Sequence, residues 1–161
     1  MRKFLLMTLV ALMVSATALA ASWKQVYTDN NDNAIFFDTD SVVASFTEAG
    51  ADATFGAMYR MDYSEKGRKA MIDWYREYSV MPPGIDNLSY DISTVYFKKV
   101  GDKRYYYIGE RVCYTANGAT IPDMHYEQKQ PNWQEISPGS VVDVEYAEAA
   151  LIVEGKKYDR D

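Results

Sequence analysis

The sequence predicts an α+β fold: a five- to six-stranded, mostly antiparallel sheet with a C-terminal helix packed on it and a second helix inserted mid-chain. Three observations predict this class. Apolar and polar residues alternate with a period of two in several segments between Trp23 and Tyr114. The period becomes that of a helix at about Lys66–Tyr78 and again after Ser140. Tyrosine occurs 14 times, and it suits half-buried sheet faces as well as wet binding surfaces.

The first predicted elements are the two strands of a hairpin. Trp23–Thr28 alternates in polarity, and Ala34–Asp38 is short and apolar. Between them, residues 29–33 contain only Asp and Asn, which favour turns. Residues 38–43 are expected to form a helical turn or bend, and residues 48–52 a loop around Gly50.

The middle of the chain combines a clear strand with a helix. Thr54–Tyr63 alternates strictly, and Met71, Trp74, Tyr75 and Tyr78 then have helical spacing. We expect the helix to end before Pro82-Pro83-Gly84.

Two long strands follow, Asn87–Lys99 and Arg104–Tyr114, joined by a tight turn at residues 100–103. The first is expected to place Leu88, Tyr90, Ile92 and Tyr96 on one face. The second is apolar on both sides, which indicates a central strand covered on both faces. Asn117-Gly118 predicts a hairpin to a short strand near Thr120-Ile121, and residues 122–132 are predicted to be irregular.

The last predicted helix begins at Ser140. Ser140 and Asp143 have the spacing of a capping box, and Asp143 and Glu145 lie in the first turn, where the helix dipole favours negative charge. Five side chains share one apolar face: Val142, Tyr146, Ala149, Ala150 and Val153. We expect this face to pack on the sheet rather than on a membrane, since membrane-binding helices have basic polar faces and this one is acidic.

Residues 1–20 have the features of a secretory signal peptide. Arg2 and Lys3 precede an apolar core at residues 4–14, and Ala18-Leu19-Ala20 is an A-x-A cleavage site. Cleavage would leave residues 21–161 as a single domain without a transmembrane segment. That domain has 15 basic and 23 acidic residues, a net charge of −8. We therefore expect an exported protein, periplasmic or at the cell surface, that binds no nucleic acid.

Cys113 is the only cysteine, so an internal disulfide is excluded, and no cysteine follows the cleavage site as a lipid attachment point. We expect its thiol to be buried, because free cysteine packs like a small hydrophobic residue. An intermolecular bridge is the alternative.

The sequence contains no recognisable catalytic motif. His125 is the only histidine, expected at the surface of a polar loop, and there is no G-x-S-x-G motif or glycine-rich phosphate loop. One histidine and one cysteine are too few for a usual zinc site. We expect no enzyme activity, cofactor or metal, and assign no catalytic or binding residue. Hydrolysis by two carboxylates stays open, and a structure without a convergent acidic pair in a cleft would exclude it.

A calcium loop is a weaker alternative for part of the first hairpin. Asp29, Asn31, Asn33 and Asp40 occupy loop positions 1, 3, 5 and 12, but Ala34 stands where the loop requires glycine. A polar hairpin turn without metal is the favoured interpretation. The three tryptophans are expected in the core or at sheet edges: Trp23, Trp74 and Trp133.

Three short motifs occur in order along the chain. W-x-x-V is present at residues 23–26, Phe36–Val42 has an aromatic-aspartate-x-x-serine-aliphatic pattern, and W-x-x-I-x-P-x-S spans residues 133–140. Together they resemble the bacterial surface-adhesin protein E family. The resemblance implies a mainly antiparallel sheet with a packed C-terminal helix, export, dimer formation and binding to host matrix and serum proteins such as vitronectin and laminin. Those adhesins carry a lipid anchor, for which this chain has no cysteine.

These observations lead to two functional hypotheses. The first is an exported, non-enzymatic, adhesin-like module that binds a protein through an exposed strand edge or a tyrosine-rich sheet face. The alternative is a periplasmic envelope accessory or small-ligand-binding protein. A closed apolar pocket of roughly 300 Å³ or more under the helix would favour the alternative, and a solid core would count against it.

Overall fold

The computed structural model describes residues 21–46 and 53–158. The predicted signal peptide and the predicted loop at residues 48–52 lie outside this part. The elements, in chain order, are β1 (Trp23–Thr28), β2 (Ala34–Asp38), β3 (Val43–Phe46), β4 (Ala53–Asp62), α1 (Glu65–Tyr78), a 3₁₀ turn (Ile85–Asn87), β5 (Leu88–Val100), β6 (Lys103–Thr115), β7 (Thr120–Glu127), β8 (Gln134–Glu135) and α2 (Val141–Tyr158).

The strands form one antiparallel sheet in the order β1-β2-β4-β5-β6-β7. β3 also pairs with β4, on the edge that β4 shares with β2, and β8 pairs with β6 on the edge that β6 shares with β7. The predicted α+β class is confirmed, with one helix mid-chain and the other at the C-terminus. In the described ranges no helix is long and apolar enough to cross a membrane.

Two segments differ from the prediction because long-range pairing determines their structure. Residues 38–42 do form a bend, in which Asp38 Oδ1 accepts a hydrogen bond from the amide of Asp40, but the chain then pairs with β4 as β3. The prediction of an irregular segment was wrong for residues 122–127. These residues extend β7, because their partners in β6 lie directly opposite, as in the pair Arg111↔Tyr126.

Both helices pack on the same face of the sheet. The register places Phe55 opposite Phe97 and Tyr59 opposite Ser93 on this inner face. α2 covers the larger apolar cluster, whose buried members include Phe37, Phe55, Tyr59, Val95, Phe97, Ala149 and Val153. α1 covers a second cluster, in which Met71, Ile72 and Tyr75 pack against Leu88, Cys113, Ile121 and Met124.

The predicted apolar face of α2 does contact the sheet. Ala149 and Val153 are buried, and Val142, Tyr146 and Ala150 pack partly buried against the same cluster. The capping box forms with one change. The amide of Asp143 donates to Ser140 Oγ at 3.2 Å, but the Asp143 carboxylate accepts from the amide of Gly139, at 2.9 Å, instead of that of Ser140.

A β-bulge corrects the predicted face of β5. The register between β5 and β6 shifts between Leu88 and Tyr90, which turns Leu88 inward while Tyr90, Ile92 and Tyr96 lie on the outer face. The residues that continue the inner face are Asp91, Ser93, Val95 and Phe97, all buried. β6 is a central strand of the sheet, as predicted. The outer face of the sheet carries no helix within the described chain, so the predicted cover on both faces of β6 is found on the inner face alone.

The close packing of α1 on the first hairpin predicts an unusual response to a glycine substitution. A Cβ atom on Gly67 would lie 1.8 Å from Asn33 Oδ1, and Asn33 is held by hydrogen bonds to Asp29 and from the amide of Ser64. Gly67→Ala should therefore lower the free energy of unfolding by about 1–3 kcal/mol, although alanine favours helix.

Gly155→Ala in α2 is the matched control, since nothing lies within 4 Å of its added Cβ atom. This substitution should raise the free energy of unfolding by about 0.5–1 kcal/mol. Urea denaturation of both variants checks the pair, and stabilisation by both substitutions would contradict the described packing.

Candidate functional site

A buried polar cluster separates the two apolar clusters on the inner face. It consists of Tyr63, Asp91, Ser93, Arg111 and Glu145. The pairing of β4, β5 and β6 brings four of them together, since Asp91 lies opposite Cys113 and Ser93 opposite Arg111. The same inner face is apolar on either side of this cluster.

Asp91 is the centre of a hydrogen-bonded network. Its carboxylate accepts from Tyr63 Oη at 2.7 Å and from Ser93 Oγ at 3.2 Å. Ser93 Oγ in turn accepts from Arg111 Nε at 3.1 Å, and Arg111 Nε lies 3.9 Å from Asp91 Oδ2. Burial raises the pKa of Asp91, while Arg111 and the two hydrogen bonds oppose the shift. The network ties the end of β4 to β5 and β6.

Arg111 has hydrogen-bonding capacity that this network does not use. Burial lowers its pKa, but the negative charges of Asp91 and of the groups around it together outweigh burial, so the pKa is raised and the guanidinium stays charged. Only Nε is engaged. Within residues 21–46 and 53–158, nothing accepts a hydrogen bond from its two terminal nitrogens. Its side chain remains 38% exposed, which leaves these nitrogens accessible.

Glu145 enters the cluster from α2. It is 8% exposed, and its backbone carbonyl accepts from Tyr59 Oη at 2.7 Å. Its carboxylate forms no hydrogen bond or ion pair with any described residue. Burial raises the pKa of this carboxyl to about 8, with Arg111 opposing and Asp91 adding to the shift. A buried carboxyl without a protein partner is therefore held next to the network.

An inner cavity of about 190 Å³ lies between α2 and the sheet at this point. Glu145, Arg111, Asp91 and Ser93 supply its polar lining. The remaining lining is mostly apolar and comes from both layers: Ile35, Tyr59, Met61, Val95, Tyr106, Ile108, Val141 and Val142, with Arg60. The interface between α2 and the sheet is thus not a solid core, but this cavity is smaller than the roughly 300 Å³ expected of a small-ligand pocket under the helix.

A larger, open space, the α1 cleft, lies between α1 and the same sheet face and has a volume of about 710 Å³. Three methionines and four aromatic residues line it: Met61, Met71, Met124, Tyr63, Trp74, Tyr75 and Tyr126. Met61 and Arg111 line both the cleft and the inner cavity. These two residues form the boundary between the spaces.

The two acids bear on the hydrolase hypothesis. Asp91 and Glu145 line the same inner cavity. A cleft without two neighbouring acids would have excluded paired-carboxylate hydrolysis, and the structure does not have that feature. Asp91 already accepts two hydrogen bonds and lies beside Arg111, whereas Glu145 has no such partner. The two carboxyl groups are thus in different environments.

Of the four calcium-loop residues, Asp29, Asn31 and Asn33 are close together, but Asp40 is not. Asp29 Oδ1 accepts from the amides of Asn31 and Asn33, which is the geometry of a polar turn. Asp40 lies beyond the other end of the five-residue strand β2, about 16 Å of extended chain away. Residues 29–33 thus form the predicted polar turn, and the described residues contain no cluster of three or more His, Cys, Asp or Glu suited to a metal.

The other singled-out residues have mostly structural positions. Cys113 is buried as predicted. His125 is exposed and pairs with Glu110 at 2.9 Å, but it lies in β7 rather than in a loop. Trp74 is not a core residue: it is 51% exposed and lines the α1 cleft.

The outer sheet face carries stacked aromatic rings. Tyr90 stacks on Tyr114, and Tyr96 on Tyr107, each with ring centroids 4.9 Å apart. Trp133 meets Tyr107 edge-on, with Lys98 Nζ 4.5 Å from its ring centroid. Part of the abundance of tyrosine thus serves to cover this face.

Sequence reasoning placed Glu145 only in the first turn of α2. A stronger signal was available, because Glu145 follows Val142 by three positions and precedes Ala149 by four, which places it on the apolar face.

Comparisons with family models, with curated proteins and with solved structures gave no match for this chain.

The raised pKa of Glu145 predicts how stability depends on pH. The ordinary pKa of this carboxyl is 4.5 and the folded value is about 8, so between these pH values the folded protein holds a proton that the unfolded chain releases. This group should therefore lower the free energy of unfolding as pH rises through that window, by roughly 3–5 kcal/mol in total.

Glu145→Gln should remove this contribution, so that the variant gains stability over the parent as pH rises from about 5 to about 8.5. Urea denaturation at several pH values measures the difference. Glu148→Gln, which breaks the surface ion pair with Lys24, is the control and should cost no more than about 1 kcal/mol. An advantage of Glu145→Gln that does not grow with pH would contradict the burial of this carboxyl.

Proposed function

We propose that this chain is an exported, non-enzymatic binding protein that holds a small organic ligand in the α1 cleft. The observation that carries the proposal is the geometry of the cleft. It has about 710 Å³ of space and more apolar than polar wall, and its lining includes Arg111, whose terminal nitrogens have no partner in the described chain. Asp29 and Asp123 also belong to the lining. Export rests on the signal-peptide pattern of residues 1–20.

The dimensions and lining of the cleft suit a small molecule. Ligand pockets in proteins typically measure about 300–1,000 Å³ and combine apolar walls with a few polar groups. Methionine side chains adapt to irregular ligand shapes, and the rings of Trp74 and Tyr126 at the rim add flat apolar area. A guanidinium in the lining of such a cleft favours a carboxylate, sulfonate or phosphate group. The ligand is therefore expected to have an apolar body and an anionic group.

Several features support binding rather than catalysis. Burial raises the pKa of the Cys113 thiol to about 12, so it is not available as a thiolate nucleophile. His125 lines the cleft, but its side chain is exposed and pairs with Glu110. Asp91 is engaged by Tyr63, Ser93 and Arg111, which leaves Glu145 without a second free carboxylate.

An apolar anion that fluoresces in nonpolar surroundings, 8-anilinonaphthalene-1-sulfonate, tests the proposal directly. The folded domain should bind it saturably with about one site, because its rings fit the cleft and its sulfonate can contact Arg111. Ala70→Phe should weaken this binding at least about tenfold by filling the cleft that Ala70 lines.

Lys69→Phe is the matched control, since Lys69 is the preceding residue of α1 but does not line the cleft. Fluorescence titration of the three proteins measures the affinities. Equal binding by both variants, or no saturable binding by the parent, would refute a ligand site in this cleft.

A second candidate function follows from the outer sheet face and the protein E resemblance. Rows of tyrosine with Trp133 lie on a face that no described helix covers, and Arg60 and Lys98 sit over three of the aromatic rings. Aromatic residues and arginine are enriched at protein interfaces. We propose, as the alternative, that this face binds a protein such as a host matrix protein. Dimer formation, which the resemblance also implies, belongs to the same alternative.

The alternative predicts that the folded domain binds immobilised vitronectin or laminin more strongly than a heat-denatured sample does. Tyr107→Ser should weaken binding several-fold because it removes the ring between Tyr96 and Trp133, whereas Lys69→Phe should not. Cell fractionation with protease treatment of whole cells gives the location. Absence of binding together with a purely periplasmic location would exclude an adhesin.

A further inference from the structure

We propose that the inner cavity recognises the charged head of a free α-amino acid, with the ligand's ammonium group on Glu145 and its carboxylate on Arg111. The apolar side chain of the amino acid would extend past Met61 into the α1 cleft. This inference rests on the proposed function and names the ligand class for the same site.

Glu145 lacks the partner that a buried carboxylate requires. Its carboxylate lines the inner cavity, is more than nine-tenths buried and has no hydrogen-bond or ion-pair partner in the described chain. Burying a carboxylate without a partner is costly, and proteins normally pair such groups. A cationic group of a ligand would supply the missing partner, and the ammonium group of an amino acid has three donors for this purpose.

Arg111 has terminal nitrogens that are free to bind an anionic group. Its Nε is engaged by Ser93, which fixes the plane of the guanidinium, and its two terminal nitrogens have no acceptor among the described residues. A guanidinium binds a carboxylate through two parallel hydrogen bonds. Arg111 is thus oriented but incompletely paired, which is the state expected of a carboxylate receptor before its ligand binds.

A carboxyl group and a guanidinium thus line one cavity without contacting each other. Among the described ion pairs none joins Arg111 to Glu145, although both side chains face the inner cavity. The volume of about 190 Å³ equals roughly six water molecules at liquid density. That space accommodates the ammonium, α-carbon and carboxylate of an amino acid, whose charges have the required opposite signs.

The lining of the α1 cleft indicates which side chain the ligand carries. Met61 and Arg111 line both spaces, so a molecule bound to Arg111 can extend into the α1 cleft. Met61, Met71 and Met124 line that cleft together with aromatic rings. Flexible methionines accept apolar groups of different shape, which favours phenylalanine, methionine or leucine as ligand over charged or small polar amino acids.

The test compares L-phenylalanine with two analogues that each lack one charge. 2-Phenylethylamine keeps the ammonium group, and 3-phenylpropionate keeps the carboxylate. In calorimetric titrations of the mature domain, L-phenylalanine should bind saturably, and each analogue should bind at least about thirtyfold more weakly. 2-Phenylethylamine has no carboxylate for Arg111, and 3-phenylpropionate has no ammonium group for Glu145.

Two variants assign the two ends of the ligand. Glu145→Gln should weaken binding of L-phenylalanine at least about tenfold while leaving that of 3-phenylpropionate nearly unchanged, since only the former has an ammonium group to lose its partner. Arg111→Gln should weaken both. Glu148→Gln, in the same helix but at the surface, is the control and should bind like the parent.

Proton release on ligand binding can be measured in the parent protein itself, so it does not depend on the affinity of a variant. An ammonium group favours the ionised form of Glu145, so binding of L-phenylalanine at about pH 6.5 should release close to one proton. Titrations in buffers with different ionisation enthalpies measure this release, which should be absent from Glu145→Gln.

The outcomes separate this inference from the proposed function. Saturable binding of 8-anilinonaphthalene-1-sulfonate in the cleft, without binding of L-phenylalanine, L-methionine or L-leucine, would leave the proposed function standing and overturn the inference. Amino-acid binding that Glu145→Gln does not weaken would also overturn it. If neither the dye nor any amino acid binds, both proposals fail.

Discussion

The hydrogen-bonded network around Asp91 is the constraint on which the inner face depends. Burial of Asp91 in a helix–sheet interface requires hydrogen-bond donors or a positive charge. Tyr63 and Ser93 donate hydrogen bonds to its carboxylate, and Arg111 supplies the charge. Because these groups must stay together, neither helix can extend its apolar contacts across them. α1 and α2 therefore cover separate clusters, and the spaces between them remain open.

Glu145 is not the residue that would be most stable at its position in α2. A glutamine at this position would avoid the cost of burying an ionisable carboxyl, and an apolar residue would fill part of the inner cavity. Departures from the simplest stable choice are typical of binding and catalytic sites. We attribute both the unpaired carboxyl of Glu145 and the incomplete pairing of Arg111 to a ligand, since both residues line one cavity.

Local pattern was sufficient for most of the fold and insufficient for the site. Periodicity located α1, α2 and the long strands, and the Ser140–Asp143 spacing located the start of α2, since all of these depend on near neighbours. β3 and the second half of β7 depend on pairing with distant strands. The bulge near Leu88 exchanged the two faces of β5, so that Asp91 and Ser93 point inward, which no alternation of polar and apolar residues indicates.

Direct measurement of the Glu145 carboxyl tests the central claim, that a buried carboxyl group without a protein partner faces the inner cavity. Nuclear magnetic resonance can follow the side-chain carboxyl carbons of glutamate during a pH titration, with Glu145→Gln assigning the signal. The account predicts a pKa of about 8 for Glu145 in the ligand-free protein. Titration of this group near 4.5, its ordinary value, would show that the carboxylate is solvated or paired, and would contradict the account.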